Sequence, residues 1–270
     1  MSKLSEALLA QPGKKLSLAR IDPSSTHGFT DKEKAIAKLD KNLDRLSVLQ
    51  YQLYAEAKRS VLVVLQGIDA GGKDGTIRRV MTGFNPQGVN VKAFKVPVGE
   101  EKQHDFLWRV HKAVPGWGEV GIFNRSHYEE VLVVRVHNLV AKTVWSKRYD
   151  QINAFEEMLA ESGVRIVKFF LYIDKDEQKK RFEERLEDPT KNWKFSPGDV
   201  EERKHWDEYM TAFEDAISKC SKPHAPWYVI PANKKWFRNL AVSEILLDTF
   251  EDMKLQYPKP VGDLSKISFE

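Results

Sequence analysis

The stretch LQGIDAGGKDGT, Leu65–Thr76, decides how this chain is read. It follows a short apolar run, VLVVLQ at Val61–Gln66, and leads into TIRRVMTGF at Thr76–Phe84, which has helical character. Gly67, Gly72 and Lys73 satisfy G-x-x-x-x-G-K, the loop that cradles phosphate between a strand and a helix. Gly71, Gly72 and Gly75 let the backbone curl without Cβ clashes. Successive N–H groups can then face phosphate oxygens, and the positive end of the next helix adds to them. Lys73 offers an ammonium group to bridge phosphates. The ending is unusual. The hydroxyl residue that should follow the lysine and hold Mg²⁺ is Asp74, and a second carboxylate, Asp69, sits inside the loop. A unit negative charge about 4 Å from a phosphate oxygen repels it by about 4 kcal/mol at an effective dielectric of about 20. Asp69 therefore points away from the cradle, or a divalent cation stands between. Asp74 in the first turn of a helix is favourable to the helix itself.

Outward from this loop the chain alternates. Apolar residues at Ile36, Leu39, Leu43, Leu46, Leu49 and Leu53 predict an amphipathic helix over 32–57. Runs at 61–66, 89–96, 119–124, 165–173 and 227–232 predict strands. Segments 102–114, 147–163, 174–188, 199–219 and 234–253 predict helices, with Gly163 and Pro189 as stop signals. Five strands separated by helices imply an α/β fold, a three-layer arrangement on a parallel sheet. Ligands in such sheets bind beyond the carboxyl ends of the strands. Three candidate segments fall there: Gly67–Thr76, Asn124–Glu130 and Asp174–Lys194. Residues 1–30, with Pro12, Gly13, Pro23 and Gly28, read as an extended, irregular arm. Residues 31–257 read as one domain with a lid at about 174–204, and 258–270 as a tail.

The chain has 270 residues and a net charge of +4, too mild an excess to argue for nucleic acid. No segment is long and apolar enough to span a bilayer, and the N-terminus carries no recognisable secretory signal. One cysteine, Cys220, precludes an internal disulfide and fits a reducing cytoplasm. It reads as a passive thiol on a helix.

A second motif, FNRSHYEEVLVVRVH at Phe123–His137, follows the third strand. Amide, guanidinium and carboxylates at Asn124, Arg125, Glu129 and Glu130 suit a site for metal and phosphate. The same segment also fits a helix start, with Ser126 as cap and Glu129 closing a capping box. His127 and His137 read as packing or surface residues. In 174–188, Gln178, Arg181 and Arg185 share one helical face and Phe182 and Leu186 another. The first face either closes over phosphates or is merely solvated. Trp193, Trp227 and Trp236 read as packing residues.

Together, GIDAGGKDGT, FNRSHYEEVLVVRV, KFFLYIDKDEQKKRFEERLEDPTKNWKFSPGD and APWYVIPANKKWFRN resemble the polyphosphate kinase 2 family, in order and over residues 30–257. The resemblance implies a P-loop kinase fold close to thymidylate kinase, with a helical lid. It implies Mg²⁺-dependent phosphoryl transfer between inorganic polyphosphate and AMP or ADP, with Mn²⁺ the alternative ion and guanine nucleotides the alternative acceptors. It further implies a homo-oligomer, dimer or tetramer, in the cytoplasm, acting on neither nucleic acid nor membrane. Asp69 then positions metal and activates the acceptor, Lys73 contacts phosphate, and Arg125 and Glu129 join them in catalysis. The resemblance assigns phosphate or nucleotide contacts to Gly71, Gly72, Lys73, Asp74, Gly75, Thr76, Asn85, Arg125 and Arg135, with Lys92 and Lys95 as further candidates. Polyphosphate or lid contacts fall to Arg79, Arg181, Arg185, Lys191 and Lys194, and metal contacts to Asp69, Asn124 and Glu130. Many members carry an Asp–Arg pair where this chain has Asn124–Arg125. Glu129 after the tyrosine resembles the class III subgroup, which phosphorylates both AMP and ADP. Two other readings fit the residues alone: an ATP-dependent nucleoside monophosphate kinase and a non-catalytic polyanion-binding protein. The carboxylates argue against the latter, since they weaken plain anion binding.

Overall fold

The computed structural model describes residues 1–269; the expected tail, 258–270, reaches one residue beyond them. The chain runs α1 (Lys3–Leu8), α2 (Lys32–Glu56), β1 (Ser60–Gln66), α3 (Lys73–Val80), β2 (Val89–Ala93), α4 (Trp108–His111), β3 (Val120–Asn124), α5 (Val133–Val136), α6 (Lys142–Trp145), α7 (Arg148–Glu161), β4 (Val164–Tyr172), α8 (Lys175–Glu187), α9 (Pro197–Glu202), α10 (Trp206–Cys220), β5 (Trp227–Pro231) and α11 (Lys235–Asp252). Short 3-10 turns join several of them. The five strands form one sheet in the order β2-β3-β1-β4-β5, and every pairing is parallel. The three-layer α/β arrangement expected from the alternation is present, and it agrees with the P-loop kinase fold that the resemblance implies.

β1 reads as a continuous apolar run because both its faces are covered. Val61, Val63 and Leu65 join the layer built by α2, α3 and α11, while Leu62 and Val64 join the layer built by α7 and α10. Leu65 lies opposite Asn124 across the β1–β3 pairing. That register sets the ends of β1 and β3 side by side. The loops leaving them diverge towards opposite layers, and the crevice between is where such sheets take ligands. No helix among the described residues is long and apolar enough to cross a membrane.

Four expectations change, one of them the helix predicted at 199–219, which a 3-10 turn at Arg203–His205 splits into α9 and α10. The first 30 residues are an arm that is not wholly irregular: they hold α1 and a 3-10 turn at Leu18–Arg20, and Leu4, Leu8 and Leu18 are buried. Leu9 bridges Tyr228 in antiparallel fashion, and the Ala10 amide donates to Trp227 O at 2.9 Å, so the arm lines the outer edge of β5. The predicted helix 102–114 is broken. Asp105 accepts a hydrogen bond from the Leu107 amide at 2.9 Å, a local turn that competes with helix, and only Trp108–His111 remains. The strand predicted to end at 96 ends at Ala93.

Beneath the turn that follows β3 lies a buried ionic network. Lys168 of β4 pairs with Glu156 of α7, and both side chains are fully enclosed. Lys168 Nζ also donates to Tyr128 Oη and to Cys220 O, each at 2.8 Å. Glu156 Oε1 accepts from Tyr128 Oη at 3.0 Å and lies 3.1 Å from His127 Nε2. Burial alone would raise the Glu156 carboxyl, yet Lys168 and His127 hold it below its ordinary range. Cys220 beside this network has its thiol pushed up to about 12 by burial, as suits a passive residue. Removing one partner of such a pair strands the other charge in the core. Lys168→Met should therefore cost about 3–5 kcal/mol of unfolding free energy, read from urea denaturation. A loss below about 1 kcal/mol would mean that Glu156 is protonated in the native state.

Candidate active site

Three segments converge at the carboxyl end of the sheet: the loop after β1, the turn after β3 and the base of α8. The loop contains Ala70 at φ +62° and Gly72 at φ +104°, and the turn after β3 begins with Arg125 at φ +60°. Left-handed geometry at two non-glycine residues stores strain, and both flank the crevice. Gly72 precedes α3 with no side-chain cap, so the first-turn amides of that helix have no intrahelical acceptor.

Every carbonyl of the loop from Gly67 to Gly71 is met by a donor. Lys73 Nζ donates to Gly67 O at 2.6 Å and Ile68 O at 3.2 Å. Gln178 Nε2 donates to Asp69 O at 3.0 Å. Arg181 Nη1 donates to Ala70 O at 2.9 Å and Gly71 O at 3.2 Å. The rest of Arg181 is also engaged, by Ala232 O, Asn233 O and Glu177. The face of α8 that carries Gln178 and Arg181 thus grips the backbone of the loop. Arg181, expected to touch phosphate, is a buried brace instead. Arg185 on the same face lies 3.8 Å from Asp199 and covers the Phe182 ring. Leu186, expected to pack, is exposed, as is Trp193; Trp227 is buried as expected.

Both loop carboxylates have partners. Arg125 Nη2 donates to Asp69 Oδ1 at 2.5 Å, and Nη1 to Glu129 Oε2 at 3.2 Å. Burial works against the charge on Arg125, but Glu129 and Asp69 outweigh it and raise its pKa. Asp74 accepts from Asn124 Nδ2 at 2.8 Å and from Lys194 Nζ at 2.9 Å. Burial would raise the Asp74 carboxyl; the bonds from Lys194 and Asn124 lower it further than burial lifts it. Asp74 therefore ties the loop to β3 on one side and to the lid on the other. Asn124, expected near metal, turns its amide N–H to Asp74.

Other expected residues lie elsewhere. Glu130 faces Arg148, whose Nη1 is 2.6 Å from its Oε2, and does not reach the loop. Burial raises its pKa against the pull of Arg148 and Arg109. Arg79 pairs with Asp40 of α2 at the far end of α3. Asn85 caps the 3-10 turn before β2, at the amino end of the sheet. Arg135 donates to Asp215 at 2.7 Å and Tyr149 at 3.1 Å. Lys191 pairs locally with Asp188. Lys92 and Lys95 are exposed around the end of β2. Thr76 Oγ1 donates to Gly72 O at 3.1 Å, inside its own helix.

Sequence reasoning did not single out the residues opposite the loop. A small cavity of about 30 Å³ runs from Ile68, Asp69, Arg125 and Glu129 to Trp206, Tyr209 and Phe213 of α10. Its roof is tied down: Arg203 donates to Gln178 Oε1 at 3.0 Å, and Tyr209 Oη to Glu202 at 2.7 Å. Behind Gly72 stands Arg238 of α11, buried against the loop. Its place in an apolar helical repeat gave no signal of this.

Among the described residues no three His, Cys, Asp or Glu side chains are grouped to enclose a metal ion by themselves. Asp69 is a hard oxygen donor at the crevice. Mg²⁺ bound by kinases commonly takes one or two carboxylates and completes its shell with substrate phosphates and water, which the donor set here fits.

Two outcomes follow for the loop. A Cβ at Gly72 would lie 2.0 Å from Arg238 Nη1. Gly72→Ala should therefore cost about 1–3 kcal/mol in denaturant unfolding and lower activity sharply; an unaffected variant would mean that the loop and α11 move apart freely. Burial and the neighbouring Arg125 push Lys73 down to about 8. Lys73 loses its charge as pH rises through that value, so kcat/KM for a phosphate donor should fall about tenfold per pH unit above it. A profile flat to about pH 10, near an ordinary lysine, would overturn this.

The comparisons agree with one another. The profile of the family described as Polyphosphate kinase 2 (PPK2) matches residues 29–258. The chain is 54% identical to a protein of Meiothermus ruber named AMP/ADP-polyphosphate phosphotransferase, over 96% of this chain and 98% of that one. It is 45% identical to an ADP-polyphosphate phosphotransferase of Rhodopseudomonas palustris, over 92% and 90% respectively. The crystal structure of Polyphosphate Kinase 2 from Arthrobacter aurescens TC1 superposes with a TM-score of 0.94 at 46% identity, over 98% of this chain and 94% of that one.

Proposed function

This chain belongs to the polyphosphate kinase 2 family, and from that premise we propose that it moves the terminal phosphoryl group of inorganic polyphosphate to AMP and ADP, reversibly, giving ADP and ATP. The observation that carries this reading is the Asp69–Arg125–Glu129 cluster, set at the mouth of a phosphate loop and facing an aromatic cavity. The name of the Meiothermus ruber relative, which includes both acceptors, supports the pairing of AMP with ADP. Glu129 directly after Tyr128 agrees with it.

In this reading Lys73 and the first-turn amides of α3 hold phosphate oxygens. Arg125 steadies charge on the transferred group, with Asp69 and Glu129 fixing its guanidinium. Asp69 would also hold a divalent ion, Mg²⁺ or alternatively Mn²⁺, which when bound would supply positive charge to offset that developing in the transfer. The protein's contribution is positioning and electrostatics, for phosphoryl transfer asks for little covalent chemistry from side chains. The nucleoside lies towards Trp206, Tyr209 and Phe213. A cavity of about 30 Å³ holds about one water, so the nucleoside enters when the lid releases Asp74 and turns away. Guanine nucleotides are the alternative acceptors. The domain reading, 31–257 with its lid, accompanies this proposal. So does a homo-oligomer, dimer or tetramer, for which the exposed Val48, Tyr51 and Tyr54 of α2 offer surface. The single cysteine supports a cytoplasmic setting.

Incubation with Mg²⁺, polyphosphate and either AMP or ADP, followed by nucleotide separation, should yield ADP and ATP from AMP and ATP from ADP. Transfer to AMP from ATP alone, with none from polyphosphate, would overturn the donor assignment. Asp69→Asn should lower turnover by about two orders of magnitude or more with circular dichroism unchanged. Near-normal turnover in that variant would remove Asp69 from the reaction.

A further inference from the structure

Among the described residues, Arg238 is the one guanidinium at the loop whose charge has no visible counterpart. It lies in the first turn of α11 and is only 4% exposed. Its Nε and Nη2 bond the adjacent Asn239 Oδ1 at 3.2 and 2.9 Å, a neutral acceptor. Nη1 has no acceptor among the described residues and stands against Gly72, while Nη2 approaches Gly75. The charge that bears on Arg238 is that of Arg181, another cation. Burial and Arg181 together push Arg238 down to about 10. The positive end of α3 adds to the same field.

The other cations here differ. Arg181 has Glu177, Lys194 has Asp74, and Arg125 has Asp69 and Glu129. Burying a guanidinium without an anion costs several kcal/mol in general. A structural brace would use its N–H groups on loop carbonyls, as Arg181 does, but those carbonyls are already met by Lys73, Gln178 and Arg181. Arg238 also reaches the loop from the β5 side, away from the aromatic cavity beside Arg125 and Glu129. A nucleoside fits the aromatic side; a run of further phosphates fits the α11 side.

We propose that Arg238 is a phosphate-binding residue: with the Gly72–Gly75 amides it forms an anion subsite on the α11 flank of the loop, taking a phosphate of the donor chain beyond the one held by Lys73. This rests on the reading that polyphosphate is the donor. The planar fork of arginine suits two oxygens of one phosphate, and a bound phosphate supplies the anion that Arg238 lacks.

The test compares the full-length wild type with Arg238→Met and Arg238→Lys. In steady-state transfer from polyphosphate to ADP, Arg238→Met should raise KM for polyphosphate about tenfold or more and leave KM for ADP within about twofold. Arg238→Lys, which keeps the charge and loses the fork, should fall between. A second readout needs no turnover: inorganic triphosphate alone should raise the thermal midpoint of the wild type and raise that of Arg238→Met much less. Equal increases in both KM values, a fall in kcat with KM for polyphosphate unchanged, or an unaltered triphosphate response would each overturn the proposal. Should Arg238→Met fail to fold by circular dichroism, Arg238→Lys carries the same comparison. A wild type that transfers nothing from polyphosphate sinks the donor reading, while the triphosphate shift still decides whether Arg238 binds phosphate.

Discussion

A loop that turns its N–H groups inward to hold phosphate must turn its carbonyls outward, and those carbonyls need donors. This constraint organises the site. In a compact protein an unmet carbonyl costs about as much as a lost hydrogen bond. Here Lys73 meets the first two carbonyls, and α8 meets the next three through Gln178 and Arg181. The base of the lid is therefore not a cover laid over the loop but part of what holds its curl. The pairing of β1 with β4 makes this possible, because it brings the start of α8 beside the end of β1.

The two carboxylates that look out of place in an anion site are also accounted for. Asp69 faces Arg125, and Asp74 faces Lys194 and Asn124. Neither projects a bare charge into the cradle. Each ties the loop to another segment: Asp69 to the turn after β3, Asp74 to β3 itself and to the lid. The buried network of Lys168, Glu156, His127 and Tyr128 supports that turn from below, so the strained Arg125 stands on a fixed base. Repulsion between carboxylate and phosphate, about 4 kcal/mol at contact range, thus becomes a reason for the partner cations.

Periodicity and punctuation carried the sheet, its parallel sense and the position of the loop, because a strand buried on both faces writes itself as an unbroken apolar run. Asp69, Lys73, Arg125 and Glu129 were legible for the same reason: they sit immediately beyond strand ends. Side-chain direction was not legible. Arg79 and Asn85 share a segment with the loop, but α3 carries them to the opposite end of the sheet. Glu130 follows Glu129 by one residue and turns to another layer, towards Arg148. Arg181 lies on the expected face, yet it meets backbone there. Arg238 was missed because its neighbours Phe237, Leu240 and Ala241 read as core, and a cation inside an apolar repeat looks like a surface residue.

The N-terminal arm has a consequence for the order in which the chain assembles. Its partners are distant in sequence: Ser2 and Ser5 bond Asp248, Leu9 bridges Tyr228, and the Leu18 amide donates to Glu214. These residues precede the rest of the domain in sequence and thus wait for β5 and α11 before they find a seat. Contacts of such separation form late, since closing a long loop has an entropic cost before any contact repays it. Until then β5 keeps an open edge, able to pair with other chains. The arm therefore acts as the closing step of folding, sealing that edge only once the whole domain has been made.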